Sequence, residues 1–174
     1  MVKFARFVFT RARNYESIIT NTPSSHSMKS PILSALLFLV ASTVACLGSA
    51  KWHKTIEEAI AVAQTKNLPV LVEFTGSDWC PPCKAIAKEV FDTPEFAEFA
   101  NGKVVLVKLD FPRRSPQAEI EKTYNNAQAK KYDLEAFPTM ILLTHQGKEV
   151  ARTTGFGGKK SFMDWLDGSI KKAK

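Results

Sequence analysis

The sequence predicts an α/β fold, a three-layer sandwich with a central mixed β-sheet and helices on both faces. Three observations carry this. Short apolar runs, Val70 to Phe74 and Lys103 to Asp110, have strand length and are bounded by turn residues. Segments with apolar residues three and four apart alternate with them. Near the end, Met140 to Thr144 and Glu149 to Thr154 flank a turn at His145 to Lys148, which reads as a hairpin. Strands that alternate with helices bury their apolar faces by layering around one sheet.

Taken in order, Thr55 to Lys66 places Ile56, Ala59, Ile60 and Ala63 on one helical face. Asn67-Leu68-Pro69 breaks that helix, and Val70 to Phe74 follows as a buried strand. Cys83, Ile86, Ala87, Val90 and Phe91 have helical spacing, which predicts a helix ending near Asp92. Thr93-Pro94 then supplies an N-cap and a first-turn proline for a helix with Phe96, Phe99 and Ala100 inward. Asn101-Gly102 stops it. Lys103 to Asp110 is the second core strand, and Phe111-Pro112-Arg113-Arg114 is a loop. Ser115-Pro116 is expected to open a helix running to about Lys131. Ser161 to Lys172 closes the chain as a helix with Phe162, Trp165, Leu166 and Ile170 inward.

The chemistry concentrates in Thr75-Gly76-Ser77-Asp78-Trp79-Cys80-Pro81-Pro82-Cys83-Lys84. Two cysteines stand three apart between a strand and a helix, a spacing that closes a small disulfide ring and needs only one cysteine to face solvent. The first N–H groups of a helix lack internal partners, and the dipole there favours negative charge. A thiolate is the reactive form of cysteine, so this place lowers its pKa. Pro81 and Pro82 fit the first turn, where a missing N–H costs little. The first N–H able to point back at Cys80 is that of Cys83, as in an N-cap contact. Lys84 adds positive charge. Cys80 is therefore assigned as the attacking thiol and Cys83 as the resolving thiol. Trp79 is expected to shape the docking surface, and Asp78 to serve the turn.

The 174 residues suit one domain behind a leader. Residues 1–27 are basic with Glu16 the only acid, and are read as an extension upstream of a true start at Met28. An Arg-rich organelle transit segment is the alternative. Residues 28–50 read as a signal peptide: Met28-Lys29, an apolar run from Ile32 to Leu47, then Gly48-Ser49-Ala50 before Lys51. That run is shorter than the ~20 residues of a spanning helix. Cleavage is expected over an uncleaved or Cys46-lipidated membrane anchor, leaving 51–174 as the domain. The leader holds five of the 24 basic residues and one of the 17 acidic ones, so the net +7 falls to +3. This balance gives no argument for nucleic acid, and no basic stripe with interleaved aromatics stands out. Only Cys80 and Cys83 then remain, and a loop so short restricts the unfolded chain little, which favours exchange over a structural role.

The motif Trp79-Cys80-Pro81-Pro82-Cys83-Lys84 resembles the active site of the thioredoxin superfamily. Two further stretches match in order and at family spacing: Ala129 to Thr139, ending in Phe137-Pro138-Thr139, and the turn Gln146-Gly147-Lys148-Glu149 followed by Gly155. The likeness runs from about Trp52 to the end of the chain. It implies a thioredoxin-like sandwich, a cis Pro138 followed by Thr139 facing the cysteine pair, and Phe137 on a peptide-docking surface. It also places Glu73 at the buried acid that helps move the proton of the resolving cysteine, although, counted back from Cys80, Glu73 lies one residue too far. A surface Glu73 and a core Phe137 are the plainer readings.

These observations together predict an exported, periplasmic thiol–disulfide oxidoreductase, acting as a reductant of protein disulfides. No organic cofactor is implied. Electrons are expected from a membrane partner protein, and the chain is expected to be a monomer. The competing classes are copper or zinc handling and a peptide-binding module on the same fold. A tetrahedral zinc site wants four ligands, whereas His53 and His145 are isolated and read as surface residues.

Overall fold

The computed structural model describes residues 49–173. The expected extension 1–27, the leader up to residue 48 and Cys46 lie outside the described residues. Five strands and five helices follow the predicted alternation. They are β1 (Trp52–His53), α1 (Ile56–Lys66), β2 (Val70–Thr75), α2 (Pro81–Ile86, continued by a π-helical turn Ala87–Phe91) and α3 (Pro94–Ala100). Next come β3 (Val105–Asp110), α4 (Glu119–Lys131), β4 (Thr139–Leu143), β5 (Glu149–Thr154) and α5 (Lys159–Lys172). The sheet order is β1-β3-β2-β4-β5. β1 and β2 run parallel to β3, whereas β4 is antiparallel to β2 and β5 to β4, so the sheet is mixed as expected.

α1 and α3 begin where their local chemistry predicts. Thr55 caps α1 by accepting the Glu58 N–H at 3.3 Å, and Asn67 ends it in the left-handed region at φ 52°. A short polar side chain tolerates that conformation better than most. Thr93 caps α3, taking the Phe96 N–H at 3.3 Å while its hydroxyl donates to the Val90 carbonyl at 2.6 Å. The helix that carries the cysteines loosens before it ends: the Asp92 N–H donates to the Ala87 carbonyl, five residues back.

Burial follows the pleat of β2. Val70, Val72 and Phe74 pack with Ile56, Ala59 and Ala63 of α1 and with Val105, Val107 and Ile141. Leu71 points the other way, into a cluster with Ile86, Phe91, Phe96, Met140, Phe162, Leu166 and Ile170. These clusters lie on opposite faces of one sheet, as alternating side chains require. The apolar run of Val70 to Phe74 is thus a strand covered on both sides. Its next alternate position after Leu71 is Glu73.

Two expectations need correction. The helix expected from Ser115-Pro116 begins instead at Glu119. The preceding residues are held as a loop because the Ser115 N–H is bound to the Asp78 carboxylate and the Gln117 amide donates to the Asp110 carbonyl at 2.9 Å. His53 is not a surface residue: it lies half-buried in β1, a strand too short for any periodicity to announce.

Candidate active site

β2 ends at the carboxyl edge of the sheet and passes directly into the cysteine segment. The Cys80 N–H donates to the Gly76 carbonyl at 2.9 Å, which closes the turn. Gly76 is required there by close approach. A Cβ on it would stand 2.5 Å from the Trp79 ring. Cys80 is the N-cap of α2, and Pro81 and Pro82 form its exposed first turn. Cys80 and Cys83 are joined as a disulfide. The Cys83 N–H points at the Cys80 sulfur at 3.3 Å, the cap contact predicted from the two prolines. The Gly76 N–H lies 3.5 Å from the Cys83 sulfur. Neither cysteine faces solvent in this disulfide form, contrary to expectation: Cys80 is 3% exposed and Cys83 1%. Bonding draws the Cys80 sulfur inward to its partner at the helix start. Lys84 is exposed.

The Phe137-Pro138 bond is cis, and Thr139 begins β4 beside β2. The Thr139 hydroxyl donates to the Ala136 carbonyl at 2.8 Å. Phe137 is half-buried, packs against the α1-side core, and meets the Trp79 ring edge-on at 5.5 Å and the Phe111 ring at 5.1 Å. The indole N–H of Trp79 donates to the Phe111 carbonyl at 2.7 Å. Trp79, Phe111 and Phe137 therefore form a half-buried aromatic platform at the motif.

Glu73 is buried at 1% exposure, so the surface reading fails. It lies on the same face of β2 as Leu71, opposite Lys108 on β3 and Met140 on β4. The Lys108 ammonium stands 3.8 Å from its carboxylate and 4.8 Å from the centre of the Trp52 ring. Neither Glu73 oxygen has a hydrogen-bond partner. Burial pushes the Glu73 carboxyl up to about 7, with Lys108 opposing in part. A carboxyl poised there takes or gives a proton near neutral pH.

Sequence reasoning missed how firmly the motif is tied to the loop after β3. The Asp78 carboxylate accepts the main-chain N–H groups of Arg113, Arg114 and Ser115 at 3.0, 2.8 and 2.7 Å. The Arg113 N–H foremost, with its neighbours, holds this carboxyl well below the usual carboxylate range. The Asp110 carboxylate accepts the Ser77 N–H at 2.9 Å and the Ser77 hydroxyl at 2.6 Å. Arg113 lies over Trp79, its guanidinium carbon 3.6 Å from the ring centre. One signal was available: the loop leaves a strand beside the motif strand, at the sheet edge where sites on open α/β sheets gather.

Comparison with known proteins now decides the family. Residues 56–169 match the thioredoxin-like domain. The chain belongs to the thioredoxin-like family. The Cys80–Cys83 disulfide at the start of α2 is a Cys-x-x-Cys pair within the matched residues. Among relatives, the thioredoxin-related protein DsbJ of Chlamydia pneumoniae is 39% identical over 108 residues, which are 62% of this chain and 31% of that protein. The chain thus spans about a third of DsbJ. The disulfide bond reductase DsbH of Chlamydia pneumoniae is 29% identical over 116 residues, 66% of this chain and 69% of that protein. A solved structure of the DsbH oxidoreductase superposes with a TM-score of 0.66 at 25% identity, covering 76% of this chain and 92% of that one. Among the described residues of this thioredoxin-like chain, no helix is long and apolar enough to cross a membrane.

The buried Glu73 makes stability depend on pH. Its folded-state pKa is raised from the ordinary 4.5 to about 7, so its contribution to stability is complete below pH 4.5 and is lost as pH rises through 7. The loss is on the order of 3 kcal/mol. Glu73→Gln removes the titrating group, so its stability relative to wild type should rise across that window. Urea unfolding of the disulfide-intact proteins from pH 4 to 8 measures this, and parallel curves would contradict it.

Proposed function

We propose that this chain is an exported reductant of protein disulfides, with Cys80 as nucleophile and Cys83 as resolving thiol. The observation that carries the reading is the Cys83 N–H aimed at the Cys80 sulfur at the start of α2. That donor and the helix dipole favour a thiolate on Cys80 over one on Cys83. The name of the relative DsbH, a disulfide bond reductase, supports the direction.

In the reduced protein, the Cys80 thiolate attacks one sulfur of a substrate disulfide. That S–S bond breaks, a mixed disulfide forms, and the other substrate sulfur leaves as a thiolate that takes a proton from solvent. Cys83 then loses its proton and attacks the Cys80 sulfur. The second substrate sulfur is released, and the Cys80–Cys83 disulfide is formed. Two electrons pass to the substrate. Glu73, with its pKa raised to about 7 and so partly ionised near neutral pH, on the face of β2 shared with Leu71, is the group that receives the Cys83 proton. Half-buried Trp79 and Phe137, backed by buried Pro138 and Thr139, form the surface that holds the substrate segment beside Cys80. Pro81 and Pro82 offer no N–H to the Cys80 sulfur, so Cys83 and Lys84 stabilise its thiolate only in part. Partial stabilisation keeps the couple reducing, because a very stable thiolate is what makes a strong oxidant. The oxidised protein is returned to the dithiol by a donor of electrons, and for an exported chain that donor is a membrane protein.

Trapping tests the roles. Cys83→Ser should accumulate mixed disulfides with substrate proteins, whereas Cys80→Ser should not; the opposite pattern on non-reducing gels would exchange the two assignments. Equilibration with glutathione tests the direction. The wild-type potential should lie below about −120 mV, and Pro82→His should raise it. A wild-type value at or above that level would refute the reductant reading and leave exchange intact. Mass spectrometry of the native protein tests export: the mature N-terminus should lie near Lys51, and a soluble cytosolic form beginning at Met1 or Met28 would count against it.

A further inference from the structure

We infer that the rim around Cys80 selects partner proteins whose disulfide is flanked by acidic side chains, and that Arg113 is the residue that reads them. This deepens the exchange reading and rests on it.

The arginine is exposed, yet anchored from both sides. Its own N–H and the two that follow are fixed by the Asp78 carboxylate. Its guanidinium is laid on the face of Trp79, the residue next to Cys80. Trp79 is itself held by the Phe111 carbonyl and by the edge of Phe137. An arginine ordered in advance loses less freedom when it binds, and its fork of donors matches a carboxylate. A cation stacked on an indole keeps its N–H groups free at the ring's margin for such a partner.

Charge on this rim is divided by direction. Arg113, Arg114 and Lys84 are exposed, and none of them takes part in an ion pair among the described residues. The two acids nearest the motif, Asp78 and Asp110, are half-buried and turned inward. Asp78 is used by three main-chain N–H groups, and Asp110 by Ser77. Asp133 and Glu135, which precede Phe137, are exposed and lie near Arg152, whose pKa is raised first by Glu149 and only then by these two acids. Three exposed cations without an ion pair thus stand on the two segments tied together by Asp78, the cysteine segment and the loop after β3, while the exposed acids Asp133 and Glu135 belong to the segment before Phe137. A peptide with Asp or Glu beside its disulfide complements that surface and gains in encounter rate and register.

The test uses two disulfide-linked peptides that differ only in flanking residues, Glu in one and Gln in the other. Each is reduced by the dithiol form of the protein, and the second-order rate constants are compared at low and high salt. Wild type should reduce the acidic peptide about fivefold faster at low salt, the factor one solvent-exposed charge pair supplies. Salt should shrink that ratio. Arg113→Gln should bring the ratio toward one, Arg113→Glu should invert it, and Arg113→Lys should keep its direction. A merely structural Arg113 would move both rates together and leave the ratio alone. Equal rates in wild type, or a ratio unmoved by Arg113→Gln and Arg113→Glu, would overturn the inference while exchange stands. Reduction of neither peptide by a protein with both thiols free would overturn the exchange reading and the inference with it.

Discussion

Everything at the site hangs on β2 being the middle of the sheet. It is hydrogen-bonded to β3 on one side and β4 on the other, and side chains on both of its faces are buried. A strand held on four sides has almost no freedom at its end. The cysteine segment begins there, so the start of α2 inherits a fixed position and direction. The same constraint explains Glu73. A strand cannot be buried on both faces and still present an alternate residue to water, so the carboxyl is enclosed. It keeps a single nearby cation and no hydrogen bond. That costs stability when charged.

The second level of order comes from two carboxylates. Asp78 and Asp110 stand on different elements, and each reaches across to the other's segment. Asp110, at the end of β3, fastens the turn that precedes the cysteines. Asp78, in that turn, fastens the loop that follows β3. The exchange of contacts locks two adjacent loops into one unit, and the aromatic platform sits on it. A carboxylate that accepts several N–H groups gives charge-assisted bonds, which are stronger than neutral ones. Loop atoms otherwise free to move are thereby set around the disulfide.

Much of this was legible in the sequence, and what escaped did so for physical reasons. The helices were readable because their caps and periodicity are local: Thr55, Thr93 and Pro94 act within one turn of themselves. The cysteine pair and its cap contact were readable because Pro81 and Pro82 eliminate the competing donors. The resemblance carried the cis Pro138 and the burial of Glu73, which no local propensity reveals. The start of α4 is not legible because Ser115-Pro116 has the composition of a helix start, while the Ser115 N–H is taken by Asp78, 37 residues earlier. Arg113 over Trp79 is likewise a contact between distant positions. Long-range polar contacts leave no period in a sequence.

The ends of the sheet bear on how such a protein meets others. β1 covers β3 with only two residues, and just beyond their pairing stands Lys108. At the opposite end, β5 carries Glu149 and Arg152, paired with each other at 2.9 Å, and a register irregularity interrupts its ladder with β4. Very short border strands, charge and irregular pairing are the means by which β-sheets resist joining edge to edge. An extended segment of another chain gains most from a long, regular border strand, which neither end of this sheet offers. The borders discourage that kind of capture and leave the carboxyl end of β2, where the cysteine segment begins, as the part of the sheet that ends in chemistry rather than in pairing.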